Sequence, residues 1–496
     1  MTSRARLLLP LLCVLCIART VPASRAKPFW HDEIYTILMS RLPSLHAMWS
    51  AGADGVDLSP PLNLWATRAV HAVAGVGVVQ TRVPALAGFC LAVCLIFLVV
   101  VRRAGMLAAL SGALIPFVTA GLRFASEARP YGLMMGLAAA SLYCWMEAAR
   151  GRARTRNLAL LALALAASIW NHYFGLLVFA PIAAGECVRT ADRRQIDRGV
   201  ALAMLTALIM TLPLYRLATA SLSQRGTFWS HVTSGQVPET YAFILNALLS
   251  APALGVAVTV TVLLIAARVR AKPGGLGARQ IPRYEAAALI TAIAIPLLGI
   301  VLSRVAVSVF VPRYALAAVP GLSMAIPIAV WRLNAGRSGA ELCLCAALAT
   351  VVLVETSSAI RHGGAKPPNP LDGRPLLLES LHSASPTVVS SSLQFVQFWY
   401  YLPPELKPRL RYLADPARAL QRTGADTIDR GYLALSRWAP VSVDTLEGFV
   451  DRERSFRVYQ AGSGWLLDEL AERGATITEI GRESAGRLLQ VTMPVR

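Results

Sequence analysis

The chain has 496 residues and a formal net charge of +20, from 48 Lys+Arg against 28 Asp+Glu. It is 55% hydrophobic and 15% charged, with a mean hydropathy of +0.53, which excludes an ordinary soluble domain and indicates a polytopic membrane protein. The positive excess is not a nucleic-acid footprint, because most of it lies in short loops between apolar segments and no RNA- or DNA-binding motif accompanies it.

The first apolar run, residues 7–18, follows Arg4 and Arg6 and precedes Val21-Pro22-Ala23. It reads either as a cleaved signal peptide or as a short first span, and both place residue 24 onward outside the cytoplasm. Apolar segments follow near 83–101, 104–122, 130–149, 157–171, 173–188, 199–217, 241–267, 285–302, 313–331 and 340–360. Counted with 7–22, these give about eleven spans of roughly bilayer length. Alternate connections carry Arg102 and Arg103, then Arg150, Arg152, Arg154 and Arg156, then Arg189, Arg193, Arg194 and Arg198, with further basic clusters near 268–283 and 332–337. Those loops are cytoplasmic by the positive-inside rule, so the segment from residue 361 is expected outside. The eight cysteines (13, 16, 90, 94, 144, 187, 343 and 345) all lie in apolar segments. They imply no disulfide framework, and Cys13-x-x-Cys16 reads as packing.

The first outer loop, residues 24–82, opens with Phe29-Trp30-His31-Asp32-Glu33-Ile34-Tyr35-Thr36. Two adjacent carboxylates at a membrane lip are costly and indicate function, although acids also favour the start of a helix. On a helix Asp32 and Glu33 point about 100° apart, so they can divide labour. Ser59-Pro60-Pro61 reads as a helix start with a Ser cap. The Leu62, Trp65, Ala69, Ala72 and Val73 stripe beyond it, opposite Asn63, Thr67, Arg68 and His71, predicts an interfacial amphipathic helix. Residues 45–50 suggest a second. The outer loop near 218–240, with Ser223-Gln224-Arg225-Gly226-Thr227-Phe228-Trp229, is either a closing loop or a connector with an interfacial Trp.

Residues 361–370 form a Gly/Pro-rich linker, giving two expected domains, 1–360 in the membrane and 361–496 outside it. In the tail, residues 387–390, 456–460 and 476–480 read as strands, and 464–473 as an amphipathic helix stopped by Gly474. The tail is therefore expected to be a small α/β domain, without a phosphate-binding glycine loop or a metal-ligand cluster.

In this topology Asp32, Glu33, Asp57, Arg82, Arg123, Glu127, Arg129, Tyr131, Asn171, His172, Tyr173, Arg304, Arg313 and Tyr314 all fall on the outer side. They come from separate loops yet share one membrane face, as an outward-facing active site requires. Arg129 and Arg313 are the strongest phosphate-binding candidates, because outer-side Arg runs against the charge bias and a guanidinium bonds phosphate oxygens in pairs. Arg82 and Arg304 are weaker, and Arg304 reads better as a snorkelling anchor. Glu127 can pair with Arg129 or face Asp32. His172 and Tyr173 are candidate substrate contacts, and Tyr131 and Tyr314 candidate carrier contacts or aromatic-belt residues. A divalent cation held by His31, Asp32, Glu33 and His172 is the cofactor alternative, although the spacing is no metal motif.

The Phe29–Tyr35 stretch resembles the "W-x-D-E-a-Y" signature of polytopic, polyprenyl-phosphate-dependent glycosyltransferases. Ser59-Pro60-Pro61-Leu62 with Thr81-Arg82-Val83-Pro84 resembles its continuation, and Ser126-Glu127-Ala128-Arg129-Pro130-Tyr131 resembles its "E-x-R-x-Y" loop. Asn171-His172-Tyr173-Phe174-Gly175 and Val311-Pro312-Arg313-Tyr314 also match recurrent pieces. The resemblance covers about residues 7–330 and rests on five motifs in order. It departs at His31, and at Asn63 and Trp65, where aromatic residues are usual after Pro-Pro-Leu. The family is the GT-C glycosyltransferases, including the protein O-mannosyltransferases, the lipid A aminoarabinose transferase and the lipopolysaccharide-core galacturonosyltransferases. The resemblance implies transfer of a hexosyl or pentosyl group from a polyprenyl-phosphate carrier to a lipid, glycan or protein outside the cytoplasmic membrane. It makes Asp32 the catalytic base and implies inversion at the anomeric carbon. The rival expectations are a lipid-linked sugar transporter or flippase and a non-catalytic scaffold of an envelope-glycan pathway. Transport is disfavoured because Glu147, Glu186, Glu341 and Glu355 sit toward span ends rather than midway.

Overall fold

The computed structural model describes residues 3–494 apart from 231, 234, 251–254, 256–257, 264–280, 335–337, 365–366 and 463. The chain divides into two compact units that do not follow sequence order. Met1–Ala26, Pro60–Tyr215 and Val232–Ala365 form the first; Lys27–Ser59, Arg216–His231 and Lys366–Arg496 form the second.

The first unit is helical. Each predicted apolar segment falls on helix, with part of 241–267 lying outside the described residues. Among the described residues, Leu7–Arg25, Val78–Ala104, Tyr173–Arg193, Arg198–Leu222 and Gly339–His362 are long and apolar enough to cross a membrane. Arg283–Ile293 and Ile295–Val307 make a sixth span if counted as one bent by 57°. Pro296 sits in the first turn of the second half, and a proline removes the N–H that would continue the first helix. Met106–Val118 and Ala318–Leu333 are shorter apolar helices.

Close approach of two helices fixes the centre of this unit. A Cβ on Gly88 would lie 2.3 Å from Leu133 Cα, and one on Gly132 would lie 2.3 Å from the Ala85 carbonyl oxygen. The Val78–Ala104 and Tyr131–Ala149 helices thus pack backbone to backbone, as small residues permit in membranes. Ion pairs join several loops at one end of the unit. Arg103 and Arg150 both bind the buried Glu285 carboxylate, at 2.6 and 3.1 Å. Arg102 pairs with Glu147, while Arg154 and Arg189 share Asp197 at 2.5 and 2.7 Å. The Arg-rich connections expected on one membrane side therefore do meet at one end, and their acids are compensated as buried charges must be.

The predicted amphipathic helix appears as Leu62–Ala74, but two details differ from expectation. Its N-cap is Pro61, not Ser59, whose backbone N–H instead donates to Asp57 Oδ1 at 2.9 Å. Pro60 precedes another proline and is disfavoured from helical geometry, so the helix starts late. It buries Asn63, Leu64 and Thr67 and leaves Ala69, Ala72 and Val73 exposed. That suits a helix whose apolar stripe faces hydrocarbon.

The second unit carries a six-stranded sheet. Its strands are β1 (Thr387–Val389), β2 (Leu410–Ala414), β3 (Val443–Thr445), β4 (Ser455–Gln460), β5 (Thr476–Glu483) and β6 (Gly486–Thr492), in the order β3-β2-β1-β4-β6-β5. The β1–β2, β1–β4 and β2–β3 pairs are parallel; β6 runs antiparallel to both β4 and β5. Val388, Leu413, Phe456, Val458, Trp465 and Val491 share one core. The Leu466–Glu472 helix is followed by Gly474 at φ +79°, a backbone conformation that glycine adopts without strain. This is the small α/β domain read from the tail, and it also takes in part of the first outer loop. Helices His31–Ser40 and Leu45–Ala53 belong to this unit, the latter capped by Ser44, whose hydroxyl accepts from Ala47 N–H at 3.0 Å. Trp438 Nε1 donates to Asp54 at 2.9 Å, and Asp426 N–H to the Thr227 carbonyl at 3.1 Å.

Candidate active site

Three of the short motifs meet in the first unit. Ser126–Pro130 is a tight turn between helices Ala120–Ala125 and Tyr131–Ala149, closed by Arg129 N–H donating to the Glu127 carbonyl at 2.8 Å. Asn171, the last residue of helix Arg154–Asn171, donates through Nδ2 to the Pro130 carbonyl at 2.8 Å. Gly175 then folds back so closely that a Cβ there would lie 2.0 Å from the Ser168 carbonyl oxygen. Pro312–Ala315 forms a single 3₁₀ turn presenting Arg313 and Tyr314. Helix ends rather than long loops thus position every one of these side chains.

The Arg313 Nε donates to the Tyr131 hydroxyl at 2.9 Å, which orients the guanidinium. Tyr131 is almost fully buried, stacks on Tyr314 at 6.4 Å and meets Phe124 edge-on at 5.0 Å. The His172 ring lies 4.7 Å from Tyr314 and 5.7 Å from Tyr131, with Phe174 and Phe310 behind. Its Nδ1 accepts from Phe174 N–H at 3.2 Å, so in the neutral ring the hydrogen sits on Nε2. Burial, then the Arg129 and Arg313 charges, push the His172 imidazole down to about 3. It therefore stays neutral beside two guanidinium groups.

Asp32 and Glu33 lie in the second unit. Asp32 and Glu33 occupy the first turn of helix His31–Ser40, so they do begin a helix. Asp32 is partly exposed and its Oδ1 lies 3.1 Å from His31 Nδ1; Glu33 is fully buried. His31 is held by rings: Tyr35 at 4.9 Å and, edge-on, Tyr432 at 5.9 Å. Tyr432 donates its hydroxyl to the Ser392 carbonyl and packs on Tyr412 at 4.8 Å. Tyr401 and Gln397 grip the Phe29 backbone, the former accepting its N–H at 2.7 Å and the latter donating to its carbonyl at 2.9 Å. Burial pushes the Tyr35 and Tyr432 hydroxyls well above their ordinary range, so both stay protonated.

Other candidates have different surroundings. Glu127 is buried and accepts from Arg123 Nε at 3.2 Å. Arg82 is buried and donates to the Ser24 carbonyl near the C-terminus of the first helix, a structural link. Arg304 is exposed in a π-helical turn, Ser303–Val307. Tyr173 begins the 3₁₀ turn after His172. Among the described residues no three His, Cys, Asp or Glu gather in a metal-holding group. Sequence reasoning did not single out Tyr432, Tyr401 or Gln397, because a grip on a backbone carbonyl or a ring face has no local signature.

No family model matches the chain, and no curated protein matches it. Two crystal structures of ArnT, the lipid A aminoarabinose transferase, from Cupriavidus metallidurans do match. The apo form is 14% identical with a TM-score of 0.64, covering 99% of this chain and 98% of that one. The form bound to undecaprenyl phosphate is 14% identical with a TM-score of 0.60 and the same coverage. The fold is GT-C. The agreement extends over nearly the full length, so the GT-C likeness includes the strand-containing tail as well as the helices.

Proposed function

We propose that the chain is an integral-membrane glycosyltransferase that moves a sugar from a polyprenyl-phosphate carrier to an acceptor outside the cytoplasmic membrane. The observation that carries this reading is the pair of guanidiniums, Arg129 and Arg313, around a neutral histidine within an aromatic cluster, on a GT-C fold. A phosphate diester that becomes a monoester gains charge as it leaves, and guanidiniums meet that charge without deprotonating. Tyr131 orients Arg313, and the Tyr314, Phe174 and Phe310 rings offer an apolar surface to an isoprenoid chain. The ArnT form with undecaprenyl phosphate makes that carrier the first to test.

In this reading Asp32 accepts the proton of the acceptor hydroxyl. The freed oxygen pair forms the new bond to the anomeric carbon while the carbon–oxygen bond to phosphate breaks, its electrons leaving with the carrier. One displacement inverts the centre. The His172 Nε2–H donates to a substrate oxygen, and Glu33 and Glu127 support the acidic and basic sides respectively. The tail, residues 361–496, would be extracytoplasmic and hold the Asp32 helix. Mass spectrometry of surface lipids and glycans from a strain lacking the protein tests the reading. A sugar modification that disappears, and returns on complementation with the unaltered chain, supports it; an unchanged inventory together with uptake of a sugar-lipid into vesicles would replace it with transport.

A further inference from the structure

The Arg-rich end of the first unit contains a cavity of about 350 Å³ that the proposed reaction does not use. Arg154, Arg189, Arg193, Asp197 and Arg198 line it. It lies past the C-terminal end of the Tyr131–Ala149 helix, while the aromatic cluster lies at that helix's N-terminal end. A 19-residue helix separates its ends by about 28 Å, so the two places are distinct.

Charge in this cavity is only half compensated. Arg154 and Arg189 share the Asp197 carboxylate, and Arg189 also binds Glu186 at 2.9 Å. Arg193 and Arg198 are exposed. Four guanidiniums thus surround two carboxylates, an excess of two positive charges. Arg189 is itself 97% buried, and its Nε has no hydrogen-bond partner among the described residues. A buried donor next to a cationic hollow calls for an acceptor with more than one oxygen. Snorkelling alone would extend such side chains individually into water, whereas Asp197 here locks Arg154 and Arg189 in place before any ligand arrives.

We infer that this cavity binds a phosphate ester, of the kind carried by an anionic phospholipid headgroup or by a small soluble phosphate. The oxygens would be met by Arg193 and Arg198 from the open side and by Arg189 Nε from the floor. The volume suits a glycerophosphate group and not acyl chains, which would remain in the bilayer. The loops forming the cavity are those that the charge bias assigns to the cytoplasmic face, where anionic lipid headgroups are concentrated.

The full-length protein, delipidated in neutral detergent, would be titrated by native mass spectrometry with phosphatidylglycerol and with phosphatidylcholine. A preference of roughly tenfold or more for phosphatidylglycerol is expected. That preference should be lost in Arg193→Ala/Arg198→Ala and kept in Arg152→Ala/Arg156→Ala, which removes the same charge from exposed positions at the same end. Displacement of the lipid by millimolar glycerol 3-phosphate or inorganic phosphate would identify a soluble phosphate as the source; failure to displace it would identify the lipid. Equal loss in both double variants, or no binding of any of these probes, overturns the inference. The unaltered chain gives an independent readout if a variant does not fold. Phosphatidylglycerol should protect Arg193 and Arg198, but not Arg152 and Arg156, from phenylglyoxal. Equal labelling of all four with and without lipid overturns it too.

Discussion

Arg313 and Asp32 are the strongest candidates of opposite sign, and the chain holds them by different means. Around Arg313 a single tyrosine hydroxyl fixes Nε, and stacked rings from three short segments restrict everything nearby. One of those segments begins the Tyr131–Ala149 helix, whose backbone touches that of Val78–Ala104 at Gly88 and Gly132, and Tyr131 on it holds Arg313. Asp32 instead opens a ten-residue helix whose surroundings come from the far end of the chain, through Tyr432, Tyr401 and Gln397. The cation is positioned by the membrane scaffold and the acid by the tail. The tail is therefore expected to matter for chemistry without supplying a reacting group.

Substitutions can break that contrast. Arg313→Ala should lower the rate of transfer by about 10²–10³, the usual cost of removing a donor to developing charge. Arg313→Lys should not restore it, because a lysine offers no Nε to Tyr131 while presenting the same charge. Rates followed in membranes from complemented strains would show this, and full activity in the Lys variant would remove the orienting role of Tyr131. On the acidic side, Tyr432→Ala removes the ring edge against His31 and should slow transfer roughly tenfold, with Tyr432→Phe close to the unaltered rate. Equal rates in all three would detach the tail from the chemistry. Tyr131→Phe deletes one hydrogen bond and should cost about 1 kcal/mol, roughly fivefold in rate.

A titration sharpens the same contrast through stability. Burial raises the Asp429 carboxyl, which accepts from Asp415 N–H at 3.0 Å and Tyr412 at 3.3 Å, to about 6. The folded tail therefore keeps a proton that the unfolded chain releases near 4, so this group's contribution is fully present below pH 4 and is lost as pH rises through 6. It amounts to roughly 3 kcal/mol for a shift of this size. Unfolding midpoints of the full chain at pH 4.5 and 7 should converge on those of Asp429→Asn at low pH and fall below them at high pH. His172, whose value is depressed, should add no titration to the transfer rate between pH 5 and 8.

Much of this was legible in the sequence because it is local. Glu127-Ala128-Arg129-Pro130-Tyr131, Asn171–Gly175 and Pro312-Arg313-Tyr314 are short strings that terminate or begin helices, and their residue types carry the chemistry. Their partners were not legible: Arg313 meets Tyr131 across 182 positions, and no periodicity links them. The tail's strands at 387–390, 456–460 and 476–480 were visible as β-branched or apolar runs, while β6, with Arg487 and Gln490 on it, hid its alternation. The tail's hold on Phe29 goes through backbone atoms, which any sequence would offer. Ser59 misled because the second proline, not the first, decides where a helix can start. Ile295-Pro296 broke what hydropathy read as one span.

In the proposed reaction Asp32 takes the proton and the arginines hold the phosphate. Purified Asp32→Asn should bind undecaprenyl phosphate as tightly as the unaltered chain by native mass spectrometry, while strains carrying it lose the protein-dependent sugar modification. A strain that keeps the modification at near-normal level with Asp32→Asn contradicts the account.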